Sequence, residues 1–111
     1  MLTTATRMDA MARLGKALAD PTRCRILIAL LEGPEYPARL AERLDLTRSN
    51  VSNHLACLRG CGLVVGVGEG RQTRYEIADR RLARAIDDLL GVVLAVDSGA
   101  PCLDDEPGGA C

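Results

Sequence analysis

At 111 residues, 48% of them hydrophobic, the chain has material for one compact domain with a core of its own and none for a second. Tyr36 and Tyr75 are its only aromatic residues, so Leu, Ile, Val and Ala must build the core. That composition leans helical and argues against modules that stack single-stranded bases on aromatic platforms. The net charge of −1 conceals a segregation: residues 47–81 hold six arginines against three acids, whereas residues 85–111 hold six acids and no Lys or Arg.

No stretch approaches the roughly 18 apolar residues of a membrane span, and the first residues lack a signal-peptide apolar run. The expectation is a cytoplasmic chain without membrane contact. In that reducing compartment five cysteines, an odd number, read as thiols for metal or redox chemistry rather than as a disulfide framework.

From about Met8 to Leu18, the apolar positions Met8, Met11, Leu14 and Leu18 recur at the helical period and predict a first helix that ends near Asp20. Asp20 followed by Pro21 is an N-cap with proline at the first helical position, opening a largely buried second helix that Gly33 and Pro34 stop. Pro37 opens a third helix with Leu40, Ala41 and Leu44; Asp45 and Leu46 form a tight turn, and Thr47 caps a fourth helix over about Arg48 to Gly60. Its spacing assigns Val51, Leu55 and Leu58 to the core. Leu63 to Val67, Gly68 to Gly70 and Arg71 to Ile77 then predict a β-hairpin with a glycine-rich tip. A last helix is expected from about Arg80 to Val96, capped by Asp79, with Leu82, Ile86, Leu89 and Val93 on one stripe and Ala85, Val92 and Val96 on another. Residues 1–97 are read as the domain, and residues 98–111 as a flexible acidic tail.

Helix, tight turn, helix and basic hairpin together describe a winged helix-turn-helix: mainly α, five helices and one hairpin. The second helix of such a motif enters the major groove of duplex DNA and needs short polar side chains near its start. Arg48, Ser49, Asn50, Ser52, Asn53 and His54 meet that need, with Asn suited to adenine and Arg48 to guanine or phosphate. Arg71 and Arg74 stand in the hairpin, where a wing meets the neighbouring backbone. A polar helix face or one hairpin arginine alone would be an ordinary solvated surface; the ordered set points to one geometry.

The segments ALADPTRCRILIALLEG, LTRSNVSNHLACLRGCGLV and EGRQTRYEI, over about residues 10–96, resemble the ArsR/SmtB family of metal-responsive winged-helix repressors. The resemblance implies a homodimer formed by the first and last helices, operator binding in the metal-free state and release on metal loading. Independently, a last helix apolar on more than one stripe is hard to bury within one small domain and calls for a partner helix.

Cys57 and Cys61 are four residues apart on one helix, which puts their β-carbons about 5–6 Å apart on one face. A disulfide needs about 3.5–4.5 Å, so a shared metal ion is the easier reading. Two thiolates make a weak site, and Cys102, after Pro101, is the nearest further candidate in the sequence. Resemblance to the cadmium and lead sensors of the family implies the set Cys57, Cys61 and Cys102, with Cys102 donated by the other subunit, and implies cadmium or lead as inducer with zinc a weaker competitor. An all-thiolate site favours soft ions. The third helix, PARLAERL, lacks the Cys-x-Cys of some family members, and the last helix lacks the His of the zinc sensors. Cys24 reads as a small buried hydrophobe, and Cys111 either as a fourth ligand or as incidental. His54, the only histidine, is assigned to DNA or solvent before metal.

Closing such a site would draw Asp97, Asp104, Asp105 and Glu106 toward the DNA face. Two other accounts stay open: a redox switch in which Cys102 or Cys111 oxidises onto Cys57 or Cys61, and a winged-helix protein-interaction module. An enzyme has no support, since there is no phosphate-binding glycine loop and no nucleophile with a base.

Overall fold

The computed structural model describes residues 4–92. The order is α1 (Thr4–Leu18), α2 (Pro21–Leu31), α3 (Pro37–Leu44), α4 (Arg48–Gly60), β1 (Val64–Glu69), β2 (Gln72–Ile77) and α5 (Arg80–Leu90).

Helix α1 ends at Leu18, short of Asp20, because Asp20 serves the next helix. Its backbone is extended (φ −98°, ψ 121°), and one carboxylate oxygen accepts from the Thr22 N–H at 2.8 Å and the Arg23 N–H at 3.1 Å. These bonds satisfy donors that the first turn of α2 cannot pair internally. The Arg23 N–H bond, helped by that of Thr22 and opposed by partial desolvation, holds the Asp20 carboxyl below its ordinary value. A depressed folded-state value gives stability that is present above the unfolded value and lost as pH falls through the folded one. Asp20→Asn, which keeps a capping oxygen but does not titrate, is therefore expected to flatten the acid limb of a Tm against pH profile while preserving the helix content seen by circular dichroism.

The α3–α4 turn is set by Asp45, which adopts the left-handed conformation (φ 55°, ψ 51°) at the end of α3. The Leu46 N–H returns to the Ala41 carbonyl at 2.9 Å, closing the helix with the wide bond of a Schellman cap. Thr47 then caps α4, its hydroxyl oxygen accepting from the Asn50 N–H at 3.1 Å.

β1 and β2 pair antiparallel from Val64 opposite Ile77 to Glu69 opposite Gln72, around a two-residue turn in which Gly70 takes φ 63°. Glu35, just before α3, exchanges both backbone bonds with Tyr75 at 2.9 Å, so the hairpin is bound to the helix-turn-helix by a third short strand-like segment. Gly66 faces Tyr75, and a β-carbon there would fall 2.9 Å from the Thr73 methyl and 3.3 Å from the Tyr75 ring, which explains a glycine in mid-strand.

The core draws Ile26 and Leu27 from α2, Leu40 from α3, Val51, Leu55 and Leu58 from α4, and Val64 from β1, all essentially without solvent contact. Ala17 of α1 and Ile86 of α5 belong to the same cluster. Among the described residues no polar or charged residue is buried. α5 closes at Leu90 with Gly91 as its C-cap, its last bonds tightening to Gly91 N–H to Asp88 and Val92 N–H to Leu89. Val93 and Val96, expected on the same helix, lie outside the described residues, as does the tail from residue 98. Leu89, Leu90 and Val92 are more than half exposed, and so are Met8 and Met11 of α1. No helix among the described residues is long and apolar enough to cross a membrane.

Candidate nucleic-acid interface and thiolate site

Because Val51, Leu55 and Leu58 anchor α4 in the core, its opposite side is left to solvent. Arg48, Ser49, Asn50, Ser52 and Asn53 are all exposed there. The first turn of α4 contains no acid, so the partial positive charge of its N-terminus is unopposed within the helix and favours a phosphate. His54 is half-buried at the α2–α4 junction, close enough to Asp20 for its charge to lower that carboxyl further.

The wing treats its two arginines differently. Arg71 is exposed at the tip beside Gly70. Arg74 is half-buried, its Nε 3.1 Å from Glu69 Oε1 in an ion pair whose angle falls short of a hydrogen bond. Glu69 Oε2 also accepts from the Tyr36 hydroxyl at 2.8 Å, a bond that raises the Tyr36 phenol above its ordinary value. Tyr36, Glu69 and Arg74 thus brace the wing against the start of α3, and the charge of Arg74 is partly spent inside the fold.

At the other end of α4, Cys57 is exposed and Cys61 half-buried, both as free thiols. Cys61 is the C-cap residue, but its backbone stays helical (φ −84°, ψ −4°) and its N–H bonds to the Cys57 carbonyl at 3.0 Å, so the one-turn spacing is kept. Cys61 lines a groove of about 490 Å³ together with Asp9, Arg13, Leu14, Leu63 and Leu82. Two thiols one turn apart fit a soft metal ion as part of its ligand set. No group of three His, Cys, Asp or Glu side chains able to hold a metal ion occurs among the described residues. Cys102 and Cys111 lie outside the described residues. Cys24 is half-buried rather than enclosed; its thiol donates to the Leu18 carbonyl at 3.1 Å and borders an apolar groove with Leu27, Ile28, Ile86, Leu89 and Leu90.

One residue that sequence reading passed over stands beside the thiols. Arg23 Nη1 lies 3.9 Å from Cys57 Sγ, 34 positions away in the chain. Within TRCRI it looks like any polar position on an amphipathic helix, and only the packing of α2 on α4 brings it to a cysteine.

Residues 20–65 match the bacterial regulatory protein arsR family. The chain is also 67% identical over 103 residues to the HTH-type transcriptional regulator CmtR of Mycobacterium tuberculosis, covering 93% of this chain and 87% of that one. It belongs to the arsR family. This ArsR-family chain is similar to the NMR structure of the cadmium metal-sensor CMTR from Mycobacterium tuberculosis, with a TM-score of 0.69, 67% identity and coverage of 86% of this chain and 99% of that one. It is similar as well to the homodimeric winged helix-turn-helix DNA-binding domain Mb0332 from Mycobacterium bovis, with a TM-score of 0.75, 32% identity and coverage of 78% and 81%. The winged helix-turn-helix expected from the sequence is the fold observed, and the chain is a transcriptional regulator rather than an enzyme.

Proposed function

We propose that this ArsR-family regulator is a repressor that holds operator DNA as a metal-free homodimer and releases it when cadmium or lead binds the thiolates of Cys57, Cys61 and Cys102. The observation that carries the reading is one helix with two faces of chemistry. α4 exposes Arg48, Ser49, Asn50, Ser52 and Asn53 in its first two turns, and ends in two thiols one turn apart. Anything that fixes the Cys57–Cys61 end constrains the groove-reading end of the same rigid element.

Arg48 and the helix N-terminus take phosphate, Asn50 and Asn53 read base edges, and Arg71 reaches the backbone from the wing tip. His54 contributes from the edge of this surface, and Arg74 chiefly by holding the wing in place. A soft divalent ion, when bound, supplies bonds to thiolate that a harder ion makes less well, which ranks zinc below cadmium and lead. Cys102 completes the set from the acidic tail of the other subunit.

The uncovered apolar surface of α1 and α5, Met8 and Met11 with Leu89, Leu90 and Val92, is assigned to the dimer contact, as the homodimeric relative supports. A two-fold protein matches operator half-sites about one helical turn apart. The protein acts in the cytoplasm, where its thiols stay reduced and its operator is found.

The deciding experiment is fluorescence anisotropy on a promoter fragment, titrated with cadmium, for the native protein and for Cys102→Ser. Couplings of this kind are worth about 1–3 kcal/mol, so cadmium should weaken the native complex roughly 5- to 150-fold and the variant far less. Native protein that binds DNA and ignores cadmium, yet loses two protons of mass under mild oxidant, would transfer the reading to a redox switch. Failure to bind DNA at all would leave an interaction module.

A further inference from the structure

Arg23 is half-buried between α1 and α4, and each nitrogen of its guanidinium is engaged. Nε donates to the Ala17 carbonyl at 3.0 Å and Nη2 to the Lys16 carbonyl at 2.9 Å, both in the last turn of α1, while Nη1 meets Cys57 Sγ at 3.9 Å. The base of the side chain is fixed too, since the Arg23 N–H is bound by Asp20. Bonds to the last carbonyls of a helix are an ordinary use of arginine; the contact with a cysteine sulfur of another helix is the distinguishing one. A planar guanidinium with three directed donors can join two carbonyls and a sulfur at once, which a lysine ammonium on a flexible stem does poorly.

We infer that Arg23 is a positioning residue for the thiolate site, an outer-sphere partner that orients the Cys57 sulfur and ties it to the end of α1. The inference rests on the thiolate reading above and adds a residue to it. Its chemistry follows from charge: three thiolates around a divalent ion leave one net negative charge, and a cation held against one of the sulfurs offsets it. Arginine suits the task because it stays charged at every accessible pH. The same side chain gives α1, half of the proposed dimer contact, a direct mechanical link to Cys57. A change at that sulfur therefore reaches the carbonyls of Lys16 and Ala17 through a single side chain.

The test uses the full-length protein and its Arg23→Gln and Arg23→Lys variants. Cadmium affinity is read from the sulfur-to-cadmium charge-transfer absorption in competition with a chelator, and the promoter-fragment affinity of each metal-free protein is measured alongside. Loss of an outer-shell partner typically costs about 10- to 100-fold in metal affinity. That loss is expected for Arg23→Gln, with Arg23→Lys recovering part of it and metal-free DNA binding staying native in both. Native cadmium affinity in Arg23→Gln would overturn the inference. So would a parallel loss of metal-free DNA binding in both variants, because that is the mark of a residue that only holds α1 in place. A native protein without the charge-transfer band would remove the thiolate reading itself, and Arg23 with it.

Discussion

Cys61→Ser is expected to abolish cadmium-driven release from DNA while leaving the metal-free complex intact. The hydroxyl that replaces the thiol is a hard donor, poorly matched to a soft ion, so the proposed site keeps one of its two described thiols. The loss should exceed the roughly 10- to 100-fold that an outer-shell substitution costs. DNA binding should survive because the structural work at this position is done by the backbone. The Cys61 N–H closes the helix on the Cys57 carbonyl, and the side chain only packs at the edge of the core. Ser49, Asn50 and Asn53, proposed above to face the groove, stand two to three turns away toward the other end of α4. Chelator competition and anisotropy on the same preparation check both halves. A Cys61→Ser protein that still releases DNA with cadmium would move the site to other cysteines, Cys24 first among those described.

Leu55→Ala is expected to be strongly destabilising. Leu55 has no solvent exposure and sits between Val51 and Leu58 in the stripe that fastens α4 to the core. Removing a buried leucine side chain to its β-carbon costs about 2–5 kcal/mol, against a total of about 5–15 kcal/mol for a domain of this size. The corresponding fall in Tm is at least about 8 °C. Native and variant must be compared at one protein concentration, since dimerisation feeds into apparent stability. DNA affinity should fall only as the folded fraction falls, because Leu55 reaches no groove. A variant with native Tm would mean that α4 is held chiefly by its caps and turns, contrary to the packing observed.

The helices were legible because their ends carry strong local chemistry. Asp20 and Pro21, Thr47, and Asp79 each mark a start through a capping side chain or a proline, and all three cap as read. The core positions of α4 were legible from their spacing alone, since Val51, Leu55 and Leu58 fall on one side of a 3.6-residue helix wherever that helix is packed. The two ends of α1 were marked unequally. α1 stops at Leu18, the last member of its apolar repeat, and Asp20 is claimed by α2. At its other end α1 starts at Thr4, ahead of the first apolar marker at Met8, since polar residues can continue a helix without announcing it.

The pair Cys57 and Cys61 was visible as a spacing, because a turn of helix is a property of the chain. The polar face of α4 was visible for the same reason, and so were the basic middle and the acidic end, which are simple counts along the sequence. Relations between elements were decided by the fold alone. Nothing in the order of residues says that Arg74 is drawn toward Glu69 and Tyr36 while Arg71 remains at the tip, or that Cys24 borders a groove with Leu89 and Leu90. Nor does it place Arg23 against Cys57 and the last carbonyls of α1. Periodicity and capping act over three or four residues, through bonds that the chain makes with itself locally. Contacts across tens of residues exist only once the shared Leu, Ile and Val core has set α2 against α4, and no local pattern encodes which polar side chains that packing will bring together.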